Sequence, residues 1–214
     1  MRAYGGGIVR YVRKGDLAHE PILPSRILSY PGGTILGMRT DDFWAVIARA
    51  TADRPESPDE VAKRAVAELA AGDPEEIVAW GRHLDKVMAA SGTEDLWAAA
   101  YLINGGCSDE GFDHFRGWLI ANGRDVLARA VREPDTLADL PAVRRAAATG
   151  AVFEAEEVLS IANEAYEQAT GSELPPSDVR WSKPEAAELW DFDDEEEMGR
   201  RLPRLASLFL APPE

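Results

Sequence analysis

From Thr40 onward, apolar side chains recur every three or four positions. Phe43, Ile47 and Ala50 form a first stripe, Val61, Ala65 and Leu69 a second, and Ile77, Trp80, Leu84, Val87 and Met88 a third. That spacing turns one face of a helix toward a core. Further helices are expected through Leu96, Trp97, Ala100 and Tyr101, through Phe112, Phe115, Trp118 and Leu119, and over 124–132, 142–150 and 195–209. The longest stripe, from Phe153 to Ala169, carries Val158, Leu159, Ala162, Ala165 and Tyr166. The punctuation agrees with these elements. Thr40, Ser57, Asp73, Ser91 or Thr93, and Ser108 stand where side-chain oxygens cap helix N-termini. Gly72, Gly92, Gly105-Gly106, Gly123 and Gly171 stand where helices end. Leu137 to Pro141 reads as a connector, and Pro203 as a kink or restart in the last helix. The pattern shows no alternating run long enough for a sheet and no internal repeat. The expected fold is all-α: a compact multi-helix bundle of seven to nine helices.

The first 39 residues follow another rule. They are rich in Gly and Pro (Gly5-Gly6-Gly7, Pro21, Pro24, Pro31, Gly32-Gly33) and lack helical periodicity. Ile8 to Val12 and Arg26 to Tyr30 are short β-like pieces without evident partners. The expected organisation is a basic, poorly structured extension over 1–39, followed by a helical domain over 40–214 with an acidic C-terminal arm. A small β-hairpin packed on the body is the alternative for the extension. Met38 stands just before the first helix, so translation could also begin there.

Charge sharpens this division. Residues 1–40 hold six bases (Arg2, Arg10, Arg13, Lys14, Arg26, Arg39) and two acids (Asp16, Glu20), net +4. The chain's 23 bases and 38 acids leave 17 and 36 for residues 41–214, net −19. So negative a body repels phosphate backbones and argues against nucleic acid, and it suits a basic protein partner. Asp191 to Glu197 holds six acids in seven residues; it reads as a solvated run or a contact for such a partner. The longest uncharged stretch, Leu96 to Ser108, has 13 residues, too few to span a membrane at about 20 residues. The N-terminus lacks the continuous apolar segment of a secretory signal. One cysteine, Cys107, excludes an internal disulfide. The expected setting is the cytoplasm.

The turn Asn104-Gly105-Gly106 is the best candidate for chemistry. Two glycines permit backbone angles that other residues resist. Cys107, Ser108 and Asp109 then lie at a helix N-terminus, where exposed N–H groups and the dipole attract anions and favour a thiolate. Asn104 could orient a ligand, Arg116 could fork onto a carboxylate or phosphate, and Trp97 and Tyr101 could wall the site. Trp118 and Tyr166 would extend that wall if they converged there. The competing reading is a packed corner with Cys107 buried. Cys107 and His114 stand seven residues apart, about 10 Å along a helix, too far for proton transfer. Glu-x-x-His, HExxH, an EF-hand loop, a P-loop and GxSxG are all missing, so no metal, cofactor or catalytic set is expected. Trp181 and Trp190 read as pins for the C-terminal arm or anchors for a partner.

The block Asp95 to Ile120 (DLWAAAYLINGGCSDEGFDHFRGWLI) is distinctive. With DDFW at Asp41 to Trp44 and Asn163-Glu164-Ala165-Tyr166-Glu167, it resembles the bacterial domain-of-unknown-function family 4240 over about residues 38–170. The resemblance implies a helical domain starting near Met38. It implies no established reaction, cofactor or catalytic residue. Two functional expectations therefore stand. The first is a protein-interaction module with a strongly acidic surface. The second is a small anionic-ligand binder or enzyme at the Asn104–Asp109 corner with Arg116.

Overall fold

The computed structural model describes residues 34–35, 38–53, 57–181, 183–184 and 189–210. The chain is all-α. Ten α-helices and one 3₁₀ helix form among the described residues. They are α1 (Thr40–Ala50), α2 (Pro58–Ala70), α3 (Pro74–Ser91), α4 (Glu94–Asn104), α5 (Asp109–Ala121), α6 (Arg124–Arg132), the 3₁₀ helix (Pro134–Asp139), α7 (Pro141–Thr149), α8 (Glu156–Thr170), α9 (Glu195–Arg201) and α10 (Pro203–Phe209). The count exceeds the expected seven to nine for two local reasons. Pro203 restarts the last helix rather than kinking it, because a proline supplies no N–H to the preceding turn. The Leu137 to Pro141 connector belongs to a 3₁₀ turn that ends where Pro141 opens α7.

The expected caps form where the signal is local. Ser57 Oγ accepts from the Glu60 N–H at 3.3 Å, Asp73 Oδ1 from Glu75 at 2.8 Å and Ser108 Oγ from Gly111 at 3.0 Å. The Ser91-or-Thr93 cap does not form: Thr93 precedes α4 without a side-chain bond to it, and Ser91 Oγ donates back to the Val87 carbonyl at 2.9 Å. Thr40 is a further correction. It lies buried inside α1, and Asp42 Oδ2 instead accepts the Arg39 N–H at 3.1 Å. Helix α8 also starts three residues later than its stripe suggested. Phe153 and Ala155 are held extended by bonds to other elements, Ala155 donating to the His114 carbonyl at 3.0 Å.

Helix α8 lies at the centre, against α2, α3 and α5. A second cluster joins α4, the 3₁₀ helix, α7 and the α9–α10 pair. Phe43, Ile47, Trp80, Met88, Phe112, Phe115, Leu119 and Ile161 are fully sealed from solvent. Phe43 and Trp80 meet with ring centres 4.8 Å apart, and the Trp80 indole donates to the Phe43 carbonyl at 3.3 Å. At Gly117 a Cβ would overlap the Ala155 carbonyl oxygen, so a glycine is what lets α5 touch the entry of α8.

Thr34–Ile35 pairs antiparallel with Met38–Arg39, two residues on each side. The buried His83 ring holds this pair to the body through Nε2 and the Met38 carbonyl at 3.0 Å. The β-like pieces 8–12 and 26–30, and with them most of the expected 1–39 extension, lie outside the described residues. No helix among the described residues is long and apolar enough to cross a membrane.

Candidate functional site

Helix α4 ends as its residues require. Gly105 takes a left-handed φ of 67°, and the Gly106 N–H returns to the Tyr101 carbonyl at 2.8 Å. Ser108 then caps α5. The Trp97 indole donates across the turn to the Cys107 carbonyl at 3.0 Å and stacks on Phe112 at 5.0 Å, nearly parallel. Asn104 uses both ends of its amide on the backbone of one distant residue. Nδ2 donates to the Phe153 carbonyl at 3.2 Å, and Oδ1 accepts the Phe153 N–H at 3.0 Å. The Phe153 ring stacks on Trp118 at 4.3 Å. Asn104 thus clamps the strand-like entry to α8.

Cys107 is half-buried. Burial pushes its thiol up to about 12, and the nearby Glu154 and Asp113 charges push the same way. The Lys183 charge opposes these influences but is the smallest of them, so the positive surroundings that a thiolate needs are outweighed.

Arg116 has no exposed surface at all. Its Nη2 pairs with Asp113, its Nη1 donates to the Met88 carbonyl, and its guanidinium lies 4.8 Å from the Phe112 ring centre. Burial lowers its affinity for a proton, opposed chiefly by the Asp113 charge. The cation that does reach the head of α5 comes from the C-terminal arm. Lys183 donates to the Asp109 carbonyl at 3.0 Å and to Asp113 Oδ2 at 2.9 Å. Arg116, Asp113 and Lys183 form one chain of charges.

The arm also meets Trp97 and Tyr101. The Phe192 ring centre is 5.5 Å from Tyr101 and 4.8 Å from Trp190. The Tyr101 hydroxyl donates to Asp193 Oδ1 at 2.6 Å, which holds the phenol's proton above its usual range. Glu94 accepts the Trp190 N–H at 2.9 Å, and the Trp181 indole donates to Asp85 at 2.7 Å. Several acids of the 191–197 run have internal tasks. Asp194 caps α9, and Glu197, held down to about 2 by hydrogen bonds from Arg200 and Arg201, pairs with both. Of the proposed wall, Trp97 and Tyr101 share the Phe192 ring, whereas Trp118 packs separately against Phe115 and Phe153. Tyr166 makes no ring contact with them among the described residues.

Three clefts lie among the described residues, two of them away from the corner. A cleft of about 370 Å³ sits between α1, α2 and α3, with Asp42, Arg49, Glu68 and Glu76 on its walls. Another of about 230 Å³ separates α3 and α8 beneath the 174–181 segment and includes Arg82, a residue the sequence pattern did not single out. A third, of about 200 Å³, reaches Tyr101 and Gly105 beside α9 and α10. Among the described residues no group of three or more His, Cys, Asp or Glu is placed to hold a metal ion.

A family model described as "Protein of unknown function (DUF4240)" matches residues 38–168. The chain belongs to this family. The match spans the corner, Arg116 and Arg82, and ends inside α8. The arm that brings Lys183, Trp190 and Phe192 lies beyond the DUF4240 match. No curated protein and no solved structure matches the chain.

Proposed function

We propose that this DUF4240 domain is a protein-interaction module that meets a basic partner through its acidic surface. The observation that carries the reading is the outer stripe of α8. Glu156, Glu157, Glu164 and Glu167 are exposed, the helix holds no base, and none of the four makes an ion pair among the described residues. Some acids elsewhere are spent internally: Asp42 on Arg39, Glu68 on Arg49, Glu197 on Arg200 and Arg201. The charge of Lys63 on α2 reaches Glu157 and Glu164, but acid remains in excess along the stripe, which attracts a basic surface and speeds its approach. A lone thiol suits a reducing, cytoplasmic setting. The competing reading, an anion or substrate at Asn104–Asp109 with Arg116, has less support, because Arg116 is sealed and Cys107 keeps its proton.

The test is fluorescence anisotropy with a labelled oligolysine peptide. Binding is expected at low salt, with steep weakening as ionic strength rises past about 0.15 M. Changing the four α8 glutamates to Gln should cost more affinity than changing four exposed acids elsewhere. Failure to bind at low salt, or equal loss from both sets, would remove the reading.

A further inference from the structure

Gly81 brings α3 close to α8. A Cβ there would stand 3.0 Å from that of Ala162 and 3.5 Å from Leu174 Cδ2. The next residue, Arg82, flanks this tight crossing and lines the 230 Å³ cleft. Its side chain is only 29% exposed, yet it makes no hydrogen bond among the described residues. Its Nε is buried and makes no hydrogen bond, only a loose ion pair. The anion facing it, Asp178, lies 3.7 Å from Nε, beyond hydrogen-bond reach, and is 80% exposed. A guanidinium offers five donors in a fixed plane, and native structures rarely leave buried donors idle. Arg116 also has an idle Nε, but no space adjoins it. Arg82 has both idle donors and room in front of them.

The rest of the cleft narrows the ligand. Leu159, Leu174 and Pro175 give it apolar walls. The Trp181 ring forms another side, fixed by its indole bond to Asp85. The exposed Asn163 amide, itself without a hydrogen bond among the described residues, adds a polar group at the rim. No lysine or second arginine lines the cleft, and Asp85 is on its wall. One guanidinium beside carboxylates favours a singly charged anion over a phosphate dianion. The space lies below the usual range of about 300–1,000 Å³ for ligand pockets, so the ligand is compact.

We propose that Arg82 anchors a monocarboxylate carried on a short apolar body in the α3–α8 cleft. The fork takes both carboxylate oxygens, and the body rests against Leu159, Leu174 and the Trp181 ring. Asp178 is the internal competitor, because its carboxylate hangs over the same guanidinium. A free small acid and a peptide C-terminus both present such a carboxylate; the chemistry is shared.

The experiment is an NMR titration of the full chain with benzoate, read at the Arg82 Nε–H and Trp181 indole signals. Saturable shifts of both are expected, and benzyl alcohol should produce none. Arg82→Gln should weaken benzoate by about tenfold or more, and Arg82→Lys, which keeps the charge but loses the fork, by less. Asp178→Asn should tighten it about threefold. Acetyl-Ala-Phe with a free C-terminus, compared with its amide, separates the sources. Tighter binding of the free acid than of benzoate assigns the site to peptide ends, and weaker binding assigns it to small acids. Absent saturation, or equal benzoate affinity in folded Arg82→Gln, overturns the proposal. Oligolysine binding is read separately, so this site and the acidic stripe fail independently.

Discussion

The Asn104–Asp109 corner and the α3–α8 cleft both combine glycine, arginine and tryptophan, and they differ in where their polar groups are spent. At the corner, Asn104 is engaged with Phe153, the Trp97 indole with Cys107, and Arg116 with Asp113 and Met88. In the cleft, Arg82 and Asn163 keep their hydrogen-bonding groups. A buried polar group must be paired, so it has little left to offer a ligand. Binding capacity follows from donors left idle beside open space, not from how striking a sequence block looks. The same contrast separates paired acids such as Asp42, Glu68 and Glu197 from the acid-rich stripe on α8.

The difference can be broken by removing partners at each place. The largest effect is expected from Asp113→Ala. It strands the Arg116 charge in the core and should cost about 3–5 kcal/mol in urea denaturation. A loss below about 1 kcal/mol would mean that Arg116 finds water and that the corner is not sealed. Next, Asn104→Ala leaves the Phe153 peptide without partners and should cost about 1–3 kcal/mol.

Cys107 gives a signed pH test. Its folded pKa, about 12, lies above that of an unfolded thiol, about 8.5. The folded state therefore holds the proton more tightly. Its contribution is full below the unfolded value and is lost as pH rises from there toward the folded one. Melting temperatures across the alkaline range should fall less steeply in Cys107→Ala. Labelling of the native thiol at neutral pH should be slow until denaturant is added; rapid labelling would restore the thiolate reading. The smallest effect belongs to Arg82→Gln. With no hydrogen bond to lose, its stability change should stay within about 0.5 kcal/mol. A larger cost would show that Arg82 is a structural group after all.

The caps at Ser57, Asp73 and Ser108 were legible because each bond closes within three residues. The Gly105 turn was legible because few side chains tolerate its φ. The stripes placed the core for the same reason: the helical period is a local property. The task of Asn104 was not legible, since its partner lies 49 residues away. The sequence offers Arg116 as a ligand fork because an arginine on a helix is usually exposed. Its bond to Asp113, three positions earlier, was the available sign of internal use. Arg82 went unnoticed between Gly81 and His83. A glycine inside a strong apolar stripe marks a close helix crossing, and a charged neighbour there was the signal to follow.

By itself the sequence determined the all-α class, most helix limits, the caps at Ser57, Asp73 and Ser108, the excess of acid and the family. These depend on spacing, local backbone preference and count, none of which needs a partner far along the chain. Only the tertiary structure decided which polar groups are spent. It sealed Arg116, clamped Asn104, laid Phe192 and Lys183 over the corner and left Arg82 facing a cleft. Pairing and burial are set by which helix faces meet, and that depends on the packing of the whole chain.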